Sequence, residues 1–579
     1  MTPPPPSSTT AKRRNQTTRV KSGCRTCKIR RVKCDEQQPS CAKCVSTGRA
    51  CDGYGIWSEP AGILSRSKGH FVFYPPPAVP GLDQDERGHL HRFRHLVAGR
   101  LAEPFGSHFW NSLVLQMSLS EPAVLHASIA LTSAYELFLP RSGISPPGHT
   151  ASNVPFLLRQ YNRAIRALTS NIKSENPISL RIAAVSSVLF ICLEILRGDL
   201  NAMQAHFSSG VKLLTQLQSR QDRSRITNDM VLVKEDPLAY DDHLVTVFAQ
   251  LNLQFLTLGN SSQRKQTFVS SFSYSRRIHI PPLFQTGDEA RRSFTSIVVA
   301  VTHLCKEFEQ TAHVSGVHLP VPSAGELEKQ QALRVAMSEW VASYERSIAS
   351  LFLSVSPQQR IGLTMLRIYA DMFTIIIGTC VTIKETAYDG YLSVFESLIR
   401  RYGDFAGQGS ESQSSSAPGV CKLDPCFTID TGFFPPLYFT ALKCRNHIVR
   451  RKALSLLDQY PTMEGPWTGP RVARVAGYVV DLEEKNFSKA LLSPSPDASL
   501  SDPTVQIEGK SQTPQISLAA PDVVLPEFCR IHCVECKLPN RHDQDSNVAT
   551  LTLRRFQHEL GKQGGWSVTF VDIDISVSK

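Results

Sequence analysis

The 579-residue chain has no long apolar run; the longest unbroken one extends from about Val188 to Leu193. That is far short of the ~18 residues needed to span a bilayer, which excludes a membrane protein. The N-terminus, MTPPPPSSTTAKRRN, has no apolar core that could serve as a secretion signal. Fifteen cysteines in so long a chain are too few for a disulfide framework. A reducing compartment is the inference. Enzyme signatures are missing as well, with no P-loop, no G-x-S-x-G and no H-E-x-x-H. The seventeen histidines are dispersed, and His89, His91 and His95, beside Arg92 and Arg94, read as a solvated helix face. Residues 52–100 contain no heptad pattern, and PPPAVP would break one, so no coiled coil is expected there.

What is present is concentrated at one end. Six of the cysteines fall between Cys24 and Cys51. Residues 11–51 carry twelve Lys/Arg against Asp35 and Glu36, so nearly all of the net charge of +12 lies there. An anionic partner held at the N-terminus follows. The cysteine spacing, C-x2-C-x6-C, occurs twice, the second copy starting 17 residues after the first. Thiolates at x2 spacing can share a soft metal ion, and Zn²⁺ takes four tetrahedral ligands. Six thiolates fit one zinc badly, but supply eight bonds to two zincs if two of them bridge. Symmetry nominates Cys24 and Cys41 as the bridges. One ion is then held by Cys24, Cys27, Cys34 and Cys41, the other by Cys41, Cys44, Cys51 and Cys24.

The first copy holds Arg25, Lys28, Arg30, Arg31 and Lys33, the second only Lys43 and Arg49, so phosphate is expected to face the first copy. Lys21, Arg25, Lys28, Lys33 and Lys43 suit phosphates, which fix register without reading sequence. No aromatic lies between Cys24 and Cys51 to stack unpaired bases, which disfavours RNA. Ile29 and Val32, three residues apart, are expected to pack against the cluster. Lys12, Arg13 and Arg14 form a basic run suited to nuclear import, or to an arm on DNA phosphates.

Beyond residue 88 the composition changes. Ser120-Glu-Pro122 reads as a helix start, followed by Val124, Ala127, Leu131, Ala134 and Phe138 at steps of three and four. The same period runs through Phe156–Leu168, Leu180–Leu196, Met203–Leu217, Leu244–Leu258 and Phe294–Phe308. It continues through Ala332–Phe352, Arg360–Ile383, Tyr391–Tyr402, Pro436–Leu457 and Gly469–Ala490. The expected fold class is mainly α, a small N-terminal zinc module followed by a large all-helical domain with disordered inserts. The division is a disordered basic arm over 1–18, the module over 19–55, a linker over 56–88 and the helical domain over 89–490. A disordered loop at about 407–419, a disordered insert at 491–522 and a C-terminal segment over 523–579 complete it. The terminal SVTFVDIDISV reads as one strand. Cys529, His532, Cys533 and Cys536, with His542, form a weaker candidate zinc site, with partly buried thiols as the default reading.

The segment CRTCKIRRVKCDEQQPSCAKCVSTGRAC, including Pro39 in the joining loop, resembles the binuclear cluster of fungal Zn(II)2Cys6 transcription factors. FWNSLVLQMSLSEPAVLHASIAL, LEILRGDLNAMQAHFSSGVKLL and PPLYFTALKCRNHIVRRKALSLL resemble the helical regulatory region of many such factors. The resemblance implies two structural Zn²⁺ ions, a short helix after each half's second cysteine, and double-stranded DNA as partner. It also implies a first-half helix end in the major groove over a CGG-like triplet. Arg30 and Arg31 align with the family's adjacent base-approaching residues; most relatives have Lys at the position of Arg31. Arginine can grip guanine O6 and N7 in a bidentate fork. Nuclear location, contact with the transcription machinery, no enzyme activity and possible control of one biosynthetic gene cluster follow as expectations. With no zipper, the chain is expected to act as a monomer or to dimerise through its helical domain. Two rival readings remain open, a ligand-sensing helical protein in which the zinc module is only an address, and a scaffold whose cluster docks a protein.

Overall fold

The computed structural model describes residues 24, 26–27, 30, 32–37 and 41–47 of the N-terminal region. Beyond it, 81–102, 107–138, 154–171, 176–221, 230–234, 239–258, 267–270, 278–314, 321–408, 427–430, 432–460, 462–492, 525–540, 547–558 and 566–577 are described. The expected arm, most of the linker, the loop after Gln408 and the insert after Leu492 lie outside these residues. The chain divides into two compact units, Met1–Ala78 and Val79–Lys579.

In the first unit the one element among the described residues with its own label is α1, Ala42–Val45. In the second, α2 (Gln84–Arg92) starts inside the stretch expected to be linker. It starts there because Asp83 accepts from the Glu86 N–H while the Glu86 carboxylate accepts from the Asp83 N–H, a reciprocal cap. The helix runs on through a wide turn, Phe93–Val97, to Leu101. His89 belongs to its buried side: only 7% exposed, it bonds the Asp85 carbonyl through Nδ1 and stacks on Phe156 at 4.7 Å. The solvated-face reading of that histidine is therefore corrected.

Next come α3 (Val114–Ser120), α4 (Pro122–Phe138), α5 (Val154–Asn171), α6 (Pro177–Arg197) and α7 (Leu200–Gln221). Ser120 ends α3 rather than capping α4, which opens directly on Pro122. Val124, Ala127, Leu131 and Ala134 are fully buried, as their spacing requires. The central helix α6 starts where Asn176 accepts from the Ile178 N–H and stops at Gly198, whose left-handed φ of 78° suits a residue without Cβ. By length and composition α6 and α11 (below) could cross a membrane, but 78% and 67% of their apolar windows are buried inside the protein. Alanine and serine interrupt their apolar residues, so no long unbroken run marks them in the sequence.

A parallel pair, β1 (Met230–Val233) and β2 (Thr267–Ser270), flanks α8 (Tyr240–Thr257). The second half is built from α9 (Gly287–Val314), α10 (Ala324–Ser354), α11 (Pro357–Thr379) and α12 (Leu392–Gln408). Serine caps set the starts of α10 and α11, Ser323 with Glu326 and Ser356 with Gln359. After β3 (Phe427–Thr428) the stretch expected to be one helix is two, α13 (Phe434–Lys443) and α14 (His447–Gln459), with Asn446 capping the second. Two short strands, β4 (Met463–Glu464) and β5 (Trp467–Thr468), precede α15 (Gly469–Leu492).

The C-terminal region departs from the single strand expected. Strands β6 (Cys533–Lys537), β7 (Val548–His558) and β8 (Trp566–Ser576) form an antiparallel sheet in that order. Along β7, Ala549, Leu551 and Leu553 point inward, while Thr550 and Thr552 bond Asp574 and Asp572 of β8 on the outer face. The inner face joins the same core as Trp340, Tyr369, Phe434 and Val475. Charges are buried beneath it: Arg445, Arg450, Glu483 and Arg530 are all at most 4% exposed. Arg530 donates to both carboxylate oxygens of Asp389, at 2.8 and 2.7 Å, tying the segment before β6 to the turn between α11 and α12.

Candidate metal centre and nucleic-acid interface

The interior of the N-terminal unit is made of sulfur. Its buried cluster consists of Cys24, Cys27, Cys34, Cys41 and Cys44, with no aliphatic side chain among them. The Sγ atoms of Cys24, Cys27, Cys34 and Cys41 all lie within 4.8 Å of one another. Closer pairs are Cys24–Cys41 and Cys27–Cys41 at 3.6 Å, Cys24–Cys44 at 3.8 Å and Cys27–Cys44 at 3.9 Å. A tetrahedral zinc with Zn–S bonds of ~2.3 Å separates its sulfurs by about 3.8 Å, so these thiols fit the ion without rearrangement. The four-sulfur group is the set that spacing assigned to the first ion. Cys51 lies outside the described residues.

Backbone N–H groups point at the sulfurs. Cys24 N–H donates to Cys34 Sγ at 3.4 Å, Cys27 N–H to Cys24 Sγ at 3.4 Å and Cys44 N–H to Cys41 Sγ at 3.3 Å. Burial pushes the Cys41 thiol up to about 12 and raises Cys27 as well. A group of thiols held this closely is ionised together only when a cation compensates the charge, which is what a metal supplies.

Two polar links join the halves, and sequence reading missed both. The Asp35 carboxylate, directly after Cys34, accepts from the Ala42 N–H at 2.9 Å and the Lys43 N–H at 3.2 Å, holding the start of α1. The Ala42 bond first, with Lys43 adding to it, holds the Asp35 carboxyl below its ordinary range. Aspartate is a preferred cap residue, so an acid just ahead of the second C-x2-C was a usable signal. The other link is Arg30, whose Nη1 donates to the Lys43 carbonyl at 3.2 Å and to Thr47 Oγ1 at 2.9 Å. Among the described residues only that nitrogen of its guanidinium is engaged. Glu36 adopts a left-handed φ of 59°, which turns the chain out of the first half.

Of the expected contacts to DNA, Arg30 is half-buried, and Lys33 and Lys43 are exposed. Arg31, Lys21, Arg25, Lys28 and the import run Lys12, Arg13 and Arg14 lie outside the described residues. Val32 is 41% exposed, against the expectation that it packs on the cluster; sulfur already fills the interior and leaves no apolar wall for it. Ile29 is outside the described residues. The second zinc candidate does not assemble among the described residues. Cys533 and Cys536 stand three apart in β6 and so face opposite sides of the sheet, Cys536 entering the core. His532 bonds Glu527 through Nε2 at 3.0 Å and accepts from the Phe556 N–H through Nδ1. His542 lies outside the described residues.

Residues 22–58 match the fungal Zn(2)-Cys(6) binuclear cluster domain. Over its length the chain is similar to the aspercryptin biosynthesis cluster-specific transcription regulator of Emericella nidulans, 23% identical across 81% of this chain and 88% of the relative. It is similar also to the transcription regulator lscL of Purpureocillium lilacinum, 28% identical over 33% of this chain, spanning only 48% of that protein. A transcriptional regulatory protein of Schizosaccharomyces pombe is 56% identical over 36 residues, 6% of this chain and 7% of its own. No solved structure matches the chain. The sulfur geometry and these matches agree: the chain carries the zinc-binding domain of the fungal Zn(2)-Cys(6) family at its N-terminus and belongs with the transcription regulators built on it, not with enzymes.

Proposed function

We propose that this protein is a nuclear, sequence-specific regulator of RNA polymerase II transcription that reads a CGG-like triplet through a cluster of two zinc ions. The observation that carries the reading is the convergence of five buried thiols beneath a segment whose first half is densely basic. Cys24 and Cys41 bridge the ions, and Cys51 completes the second site. The metals are structural: the sulfurs replace an apolar core, and so small a module has nothing else to hold it.

Arg30 and Arg31 contact base edges. In the free protein Arg30 braces the two halves against each other, and its remaining N–H groups keep it available to guanine O6 and N7. Lys21, Arg25, Lys28, Lys33 and Lys43 contact phosphate, and Lys12, Arg13 and Arg14 serve nuclear import. The arm, zinc module, linker and helical domain keep the boundaries set out from the sequence. The helical domain engages the transcription machinery, as a monomer or as the dimer contact. Likeness to a biosynthesis cluster-specific regulator over most of both chains supports control of one biosynthetic gene cluster.

Selection from random DNA by the zinc-loaded full chain tests the reading. A CGG-containing consensus is expected, with binding that weakens steeply in salt, each neutralised phosphate contributing about −0.9 to the log–log slope. Arg31→Ala should relax the consensus while leaving zinc content unchanged, and Arg30→Ala should do the same with some loss of module stability. Full site preference in both variants would overturn the base-reading assignment.

A further inference from the structure

The helical body contains a cavity of about 390 Å³ that neither zinc nor DNA binding uses. Helices α8, α9, α11 and α13 surround it and present Leu253, Phe294, Val298, Phe373, Ile376 and Phe439 to its interior. Its size falls within the range of about 300–1,000 Å³ of small-molecule sites, and an apolar lining with few polar groups is their usual composition. Charge is confined to one side. Arg291 is neutralised by Asp430, whose two carboxylate oxygens it meets at 2.8 and 2.6 Å, and His303, Lys306 and Glu309 stand along α9.

One polar atom in the wall is unsatisfied. Asn252, on α8, is 5% exposed, and its Oδ1 has no hydrogen-bond partner. A buried amide oxygen without a donor is unfavourable, and such groups in a folded protein are rare. Inside an apolar cavity, an isolated acceptor is what fixes the orientation of a ligand that brings its own donor.

We infer that this cavity binds a small, neutral, mainly apolar molecule that presents an N–H or O–H group to Asn252 Oδ1, which makes the helical body a ligand receptor. The inference does not depend on how the zinc module reads DNA. It rests on two features that converge: apolar side chains from four helices leave open space between them, and the buried acceptor lies in the wall of that space. A charged ligand is excluded from the interior, because no uncompensated charge faces it there.

Fluorescence titration of the purified full chain with N-phenyl-1-naphthylamine, a neutral fluorophore with a single N–H, tests the site; its N-methylated analogue lacks that donor. Saturable one-to-one binding of both probes is expected. Asn252→Leu preserves the side-chain shape without the acceptor. It should weaken the N–H probe about tenfold, leave the methylated probe within about twofold, and leave the melting temperature unchanged or raised. Thr302→Trp, at the half-buried wall, should abolish both titrations. Absence of saturable binding by the wild type overturns the proposal, as does equal binding of both probes by wild type and Asn252→Leu. A lower melting temperature of Asn252→Leu would show that the amide has a structural partner and would overturn it too.

Discussion

Glu483 is the residue whose removal should cost the helical body most. It is fully buried, and each of its oxygens is used. Oε1 accepts from Arg445 at 3.0 Å and from the Ile531 N–H at 2.7 Å, and Oε2 accepts from Arg450 at 2.6 Å. Burial acts to raise its pKa, but the two guanidinium groups overcome that and hold the carboxyl below its ordinary value. Glu385 supplies the only other close carboxylate to Arg445, at 2.8 Å, and shares itself with Lys443 at 2.6 Å. Glu483→Ala therefore leaves two buried cations with too little negative charge, and orphans the N–H that anchors the strand before β6. Breaking a buried pair by removing one partner costs about 3–5 kcal/mol. For a unit spanning Val79–Lys579, an unfolding entropy of ~2 cal/mol/K per residue gives on the order of 1 kcal/mol/K at the midpoint. The expected fall in melting temperature is therefore about 3–5 °C. Differential scanning calorimetry of the full chain reads it, with zinc content as the control for the N-terminal unit. Glu483→Gln keeps the Oε1 acceptor but sets an NH₂ against Arg450, so it should recover less than half of the loss. A Glu483→Ala variant melting within 1 °C of the wild type would refute the argument, because it would mean that the charges are not desolvated.

Two further outcomes are expected. The buried Glu464 accepts from the Phe433 and Phe434 N–H groups, yet burial dominates and pushes its carboxyl up to about 8 from an ordinary 4.5. Between those values the folded chain holds a proton that the unfolded chain has lost, so the group's contribution is complete below pH 4.5, falls as pH rises, and is flat above about 8. Glu464→Gln should flatten that slope in urea midpoints measured at pH 5 and pH 8; an unchanged slope would place the titration elsewhere. For the metal centre, elemental analysis should find two zinc ions per wild-type chain and none after Cys24→Ala or Cys41→Ala, since each bridges both ions. A single zinc in the wild type would rule out the bridged arrangement.

The parts legible from the sequence are those fixed by a short-range rule. Ligand spacing within 28 residues is set by what one ion can reach, so Cys24, Cys27, Cys34 and Cys41 could be grouped without coordinates. Helical period likewise located α5 through α12 to within a few residues of their ends. The sheet was half legible: VDIDIS alternates strictly and reads as a strand. Its partner β7 was missed because the Thr550–Asp574 and Thr552–Asp572 pairs that align it bridge a sequence separation of 20 or more.

Charged residues misled most, because their usual place is the surface and periodicity carries no information about the exceptions. Nothing local to Arg450 or Glu483 announces burial; each becomes tolerable only through the other, 33 residues away, and Arg530 only through Asp389, 141 away. The same logic operates at small scale in the zinc module. Arg30 was read as facing DNA because its neighbours are basic, and its bond to Thr47 depends on how the two halves close around the sulfurs. A residue held in that way has two partners to choose between. Its guanidinium can close the module on itself or reach for a base, and the metal, by fixing the distance between the halves, sets the balance.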